Sequence, residues 1–299
     1  MLSATRTAPS DSSSSLANVP RQLLAGLLLV GIAWPTAWFG PPALAEFTFF
    51  PLWLGYVLTV DGLVERRTGT SLLRRSRRHF LALFLVSIPL WWLYEAINDR
   101  LGNWEYLYQG DIGFLHRHAH ASVAFSTVVP ALFETAELYR STRLLRRLGR
   151  WIRIAPSRRG LLGFSAFGLV LIALTVAFPR QAFPLVWLGL FFIFDPIVNL
   201  LGGRSISAQV ARGRWDTVVA LFLAGITCGL FWETWNYWSM PKWVYHIPYV
   251  SQPKLFEMPI LGYGGYLPFA LEVYAAVQAV NLLVHIIPTS YLQFDDLEP

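Results

Sequence analysis

Six carboxylates stand at matched places in the two halves of this chain, and they are the groups best placed to do chemistry. Glu95 and Glu233 each precede an asparagine by three residues, Asn98 and Asn236, so acid and amide share one helix face. A Trp-x-Tyr segment follows each pair, Trp104 with Tyr106 and Trp243 with Tyr245. Glu134 and Glu272 each come four residues after a proline, Pro130 and Pro268, which loosens a helix. Asp61 and Asp195 adjoin arginine-rich loops, where an ion pair or a hydrogen-bonded turn is the simplest role. A carboxylate in a hydrocarbon-length helix is costly if ionised against lipid, so it belongs against protein or a cavity. There it can donate a proton, and aromatic faces can stabilise the cation that results. That combination suits protonation of an alkene or an epoxide. The expected catalytic residues are therefore Glu95, Glu233, Glu272 and Glu134, with Asn98, Asn236, Trp104, Tyr106, Trp243 and Tyr245 binding substrate. The structural alternative is a polar clasp between helices, with the Trp and Tyr rings as interfacial anchors. Glu137 has no counterpart, because Ala275 occupies its place, and is read as a partner of Arg140.

Other candidates carry less. His116, His118 and His120 form an H-x-H-x-H run in which the outer two share a helix face. The second half has no matching triplet, so the run reads as a solvated or headgroup-level cluster, and no metal is expected. His246 and His285 are isolated, and the single Cys228 excludes an intrachain disulfide and a cysteine-built zinc site. There is no P-loop, no G-x-G-x-x-G after a strand and no serine nucleophile elbow, so nucleotide-driven chemistry is not expected and no cofactor is implied. The run MPILGYGGYLPFALE over 258–272 places Gly262, Gly264 and Gly265 before the last helix. It predicts an irregular start that lines a cavity or permits tight helix contact.

The elements that must hold these groups are membrane helices. With 299 residues, 55% hydrophobic, 14% charged and a mean hydropathy of +0.44, the chain is too apolar for an ordinary soluble domain. Apolar stretches of bilayer-crossing length lie near 22–40, 47–64, 80–98, 121–139, 160–178, 183–201, 216–238 and 259–288. The expected fold is all-α, a polytopic membrane helix bundle of about eight transmembrane helices. The net charge of +6 comes from arginine clusters in the loops, so no nucleic-acid partner is implied. Of the 24 Lys and Arg, 19 fall on the side that holds both termini, which the positive-inside rule makes cytoplasmic. The expected location is a bacterial inner membrane.

An internal repeat organises the bundle. WLGYVLTVDGLVERRTGTSL from Trp53 aligns without a gap to WLGLFFIFDPIVNLLGGRSI from Trp187, with seven identities in twenty. Two tandem four-helix repeats are expected over 21–155 and 156–290, between a disordered tail at 1–20 and a short acidic tail at 291–299. Such halves are related by a pseudo-twofold along the membrane normal, which makes equivalent helices face each other.

FWETW from Phe231 with KWVY from Lys242, and less closely WLYEA from Trp92 with NWEY from Asn103, give the chain a family likeness. It resembles the small membrane lycopene cyclases of the two-subunit or fused type, and more distantly carotenoid hydratases and integral-membrane terpene cyclases. The likeness runs from the third helix of each half into the fourth. It departs where that family carries a Pro-led acidic motif, because this chain has Pro259, Ile260, Leu261 and Gly262. The resemblance implies shared architecture and an isoprenoid or membrane-lipid ligand, as in carotenoid biosynthesis, more than lycopene cyclisation itself. The leading functional expectation is acid-initiated, cofactor-free cyclisation, isomerisation or hydration of a polyisoprenoid or similar lipid. A proton-coupled transporter is the runner-up, although no matched pair of broken helices is legible in the sequence. A non-catalytic membrane scaffold is the third reading.

Overall fold

Each apolar stretch marked in the sequence is helical in the computed structural model, which describes residues 19–110, 113–142, 145, 150–288 and 290–295. The first half holds α1 (Arg21–Phe39), α2 (Phe49–Thr68), α3 (Arg77–Leu101), α4 (Phe114–Phe125) and α5 (Val128–Arg140). The second holds α6 (Arg158–Ala177), α7 (Val186–Leu200), α8 (Asp216–Asn236) and α9 (Tyr266–Val284). Among the described residues, six segments are long and apolar enough to cross a membrane: Arg21–Phe39, Arg77–Leu101, Arg158–Ala177, Pro179–Leu200, Asp216–Asn236 and Ile260–Val284. The other two stretches differ for visible reasons. α2 carries Asp61, Glu65, Arg66 and Arg67, and the fourth stretch is divided between α4 and α5 at Ser126 and Thr127. The expected tail at 1–20 lies outside the described residues except at its last two positions.

Capping chemistry fixes where helices begin on the arginine-rich side, the end that carries Arg66–Arg78 and Arg204–Arg214. Ser76 and Ser157 accept the backbone N–H of His79 and Gly160 and so start α3 and α6. Asp61 Oδ1 accepts the Leu73 N–H at 2.9 Å, and Asp195 Oδ2 accepts the Ser207 N–H at 3.0 Å. Of the two roles expected for these acids, the geometry therefore gives the hydrogen-bonded turn. It does so at aligned positions in both halves.

Close backbone contact joins the outer helix pairs. A Cβ placed on Gly26 of α1 would lie 2.6 Å from the Gly55 carbonyl oxygen of α2, and one on Gly168 of α6 would lie 2.7 Å from that of Gly189 in α7. Small residues allow this approach where packing, and not water, drives helix association. The opposite faces of α1 and α6 expose Leu24, Leu27, Leu28, Leu162, Phe167 and Leu169, an apolar surface suited to lipid. Inside, Trp53, Phe133, Leu221 and Tyr274 are fully buried among α2, α5, α8 and α9.

The start of the expected acidic tail is part of this core. Tyr291, Leu292, Phe294 and Asp295 are buried, and Asp295 pairs with Arg204 at 2.6 Å and accepts from the Tyr274 hydroxyl at 2.8 Å. Glu137 accepts the Gln293 N–H at 2.6 Å and lies 2.8 Å from Arg75. The expected Glu137–Arg140 pair is thus replaced. Glu137 sits on the inner face of α5, whereas Arg140 lies at the helix end and reaches Asp216 at 3.4 Å.

Candidate functional site

Two short strands lie across the bundle on the side opposite the arginine-rich end. β1 (Trp104–Leu107) and β2 (Lys242–Tyr245) pair antiparallel, with Trp104 opposite Tyr245 and Tyr106 opposite Trp243. Each follows a long helix. α3 is closed by Gly102 at φ +62, a left-handed position that favours glycine. Asn98 Nδ2 then donates to the Trp104 carbonyl at 2.8 Å, while its Oδ1 accepts from Asn103 N at 2.9 Å and Trp104 N at 3.2 Å. Asn236 repeats the bracket, donating to the Trp243 carbonyl at 2.7 Å and accepting from Trp243 N at 2.8 Å. Both amides hold strand backbone, and neither lines the cavity described below.

The glutamates one turn earlier receive the strand side chains. Glu95 Oε1 accepts from Tyr106 Oη at 2.6 Å, Trp91 Nε1 at 2.8 Å and Trp104 Nε1 at 3.2 Å. Glu233 Oε1 accepts from the hydroxyls of Tyr245 and Tyr266, each at 2.7 Å, and Trp243 Nε1 donates to Tyr245 Oη at 2.8 Å. Burial, and then the neighbouring glutamate, push the phenols of Tyr106 and Tyr245 well above their ordinary range, so both remain protonated donors. The two halves reach this arrangement through a swap. Trp91 aligns with Gly229 and Val128 aligns with Tyr266, so the extra ring on Glu95 comes from α3 and the extra ring on Glu233 comes from the start of α9. Gly229 is what leaves room, since a Cβ there would lie 2.4 Å from the Tyr266 ring.

These rings wall one cavity of about 540 Å³. Trp91, Trp104, Tyr106, Trp243, Tyr245 and Tyr266 all border it, together with Trp187, Trp232, Phe125 and Phe269. Glu95 and Glu233 stand behind their ring partners and do not border it themselves. The cavity is therefore walled by aromatic rings, with one acid behind the wall from each half. Of the four acids named from the sequence, these two are brought to the same cavity. Glu272 is fully buried one turn beyond the cavity-lining Phe269, facing Tyr94 without a hydrogen-bond partner among the described residues. Glu134 is also fully buried but faces Asp61 on the arginine-rich side, away from the cavity. Trp91, Trp187, Tyr266 and Phe269 are not among the site residues expected from the sequence, although Trp187 opens the second copy of the repeat and Tyr266 and Phe269 lie in the 258–272 run. The Trp91/Gly229 and Val128/Tyr266 mismatches within otherwise aligned segments were the available signal.

Irregular backbone borders the cavity at matched places. Phe125 and Val128 flank the break between α4 and α5, and Gly262 and Gly265 lie in the 3-10 turn, Ile260–Gly265, that precedes α9. Positions 126–127 align with 264–265, so irregular backbone recurs at matched places, as a break between α4 and α5 in the first half and as a 3-10 lead that runs directly into α9 in the second. The irregular entry expected for the last helix is present and lines a cavity. The histidine run also has defined partners. His116 Nε2 lies 2.8 Å from Glu46 Oε1, His120 Nε2 donates to the Glu46 carbonyl at 2.8 Å, and His118 stacks on Trp92 with ring centroids 5.2 Å apart. Compared with known proteins, the chain matches no family model, no curated protein and no solved structure.

Proposed function

We propose that this chain is an eight-span membrane protein built from two tandem four-helix repeats, with its arginine-rich side and both termini in the cytoplasm of a bacterial inner membrane. In its aromatic cavity it binds an isoprenoid or similar membrane lipid and carries out cofactor-free, acid-catalysed cyclisation, isomerisation or hydration. The repeat draws support from the matched Asp61 and Asp195 turns, the Asn98 and Asn236 brackets and the self-complementary pairing of β1 with β2. The observation that carries the functional reading is the cavity itself: one lipid-suited space walled by rings, with an acid behind the wall on each side.

In this reading the Tyr106–Glu95 and Tyr266–Glu233 couples are the proton-carrying groups at the wall. For transfer, the phenol O–H that donates to the carboxylate turns to the ligand, and the glutamic acid in its protonated form gives its proton to the phenol oxygen as the phenol proton goes to the ligand, leaving the glutamate ionised. The indole and phenol faces then stabilise the ligand cation, and the carboxylates behind them add favourable charge. Lipid extracts of cells expressing wild type, Glu233→Gln or an empty vector test this. A species made by wild type and missing from the other two is expected, and identical profiles in all three overturn the enzymatic reading.

The irregular backbone that borders the cavity at matched places, a break between α4 and α5 and a 3-10 lead into α9, favours transport as a second reading, because irregular backbone lining a cavity in repeated halves forms binding sites in transporters. The same three strains separate the two readings. Unchanged lipid species, with proton-dependent uptake by the reconstituted wild type, are the transporter's signature.

A further inference from the structure

The cavity's rim contains a polar group that the glutamate couples do not employ. His120 borders the cavity beside Ala121, Ala124 and Phe125, and it is only half-buried. Its Nε2 is 2.8 Å from the Glu46 carbonyl oxygen, which can only accept, so Nε2 carries the proton. In the neutral ring that leaves Nδ1 as an acceptor, and Nδ1 has no hydrogen bond among the described residues. The ring is also fixed in place by an edge-to-face contact with Phe47, centroids 5.9 Å apart. A second, smaller cavity of about 110 Å³ adjoins this rim, sharing Tyr108 and Pro241 with the large one and bordered by Glu46 and Gln109. At this end the ring-walled space meets a small vestibule, bordered by Glu46, Gln109 and Tyr108 beside apolar residues, and a histidine whose free ring nitrogen has no protein partner among the described residues.

We infer that the ligand is an amphipathic isoprenoid alcohol, with its hydrocarbon against the rings and its hydroxyl donating to His120 Nδ1 at the mouth of the Glu46 vestibule. This rests on the isoprenoid reading above and narrows it, because a pure hydrocarbon would leave the acceptor unused. An acceptor that replaces water for the ligand's hydroxyl gives discrimination against an analogue that cannot donate. The rest of the cavity contributes equally to both ligands.

Geranylgeraniol and its methyl ether are suitable probes, titrated into the detergent-solubilised full chain with quenching of cavity tryptophan fluorescence as the readout. Wild type is expected to bind the alcohol about tenfold more tightly than the ether. His120→Phe and His120→Ala are expected to lose that preference while still binding the ether, which also reports an intact cavity in the variants. His116→Gln, which leaves the His120–Glu46 bond in place, should keep it. Equal binding of alcohol and ether by wild type, or a preference that survives in both His120 variants, overturns the assignment of His120 alone. Failure of wild type to bind either probe overturns the assignment and the isoprenoid reading together.

Discussion

An asparagine side chain bonded to both the N–H and the C=O of a single tryptophan acts as a rigid bracket, because an amide matches a peptide group donor for acceptor. Asn236 does this to Trp243, and Asn98 does it to Trp104 with Asn103 N as a further donor. Removing the bracket leaves strand polar groups unpaired. Asn236→Ala should therefore cost about 1–3 kcal/mol of stability and lower the melting temperature in detergent. Asn236→Asp keeps the acceptor but, at this buried position, sets a carboxylate oxygen against the Trp243 carbonyl, so it should destabilise at least as much, and a melting temperature unchanged in both variants would remove the positioning role. The residue types and spacing put Glu, Asn, Trp and Tyr of each half in one neighbourhood. They did not say that each amide turns to backbone while each carboxylate turns to rings, because the helix face is common to both and only the strand's path separates them.

At the scale of elements, the antiparallel pairing of β1 with β2 brings the Trp-x-Tyr segments of both halves to one place. Each half then completes the wall from a different helix. Half one uses Trp91 on α3 and leaves Val128 small, whereas half two leaves Gly229 bare and uses Tyr266 at the start of α9. The space beside each glutamate is filled once, from one side or the other. Gly229→Ala puts a Cβ about 2.4 Å from the Tyr266 ring, so it should destabilise by about 1–3 kcal/mol through overpacking. Gly229→Trp combined with Tyr266→Val rebuilds the arrangement of half one. Unfolding of the two single variants and the double variant should show a favourable coupling of about 0.5–3 kcal/mol, and strict additivity would contradict the swap.

Across the whole molecule, the two ends of the bundle are closed by different means. The strand pair and the rings close one side around a cavity, while the arginine-rich side is closed by the chain's own C-terminal residues. There Phe294 packs against Phe133 and Tyr274, with centroids 5.1 and 5.9 Å away, and Tyr291 donates to the Leu72 carbonyl at 3.0 Å. Glu137 ties this segment to α5, and Arg204 ties it to the second half. Glu137→Ala removes the acceptor for Gln293 N and the carboxylate beside Arg75. It should speed limited proteolysis near residue 290, while cleavage at the same rate as in wild type would show that the segment holds without it.

Composition along the chain specified where most helices lie, the arginine asymmetry and the positions at which acids recur. These follow from local composition, since about 20 apolar residues form a bilayer-length helix wherever they fall in the fold. Which acids meet depends on how the helices and strands pack. Glu95 and Glu233 converge on one cavity because β1 pairs with β2 across the two halves, whereas Glu134 and Asp61 are drawn together at the other end. Long-range pairing also turned Glu137 from its helical neighbour Arg140 to residues about 156 positions away. Spacing along a helix records which residues share a face, but the partner of that face is set by how the helices pack.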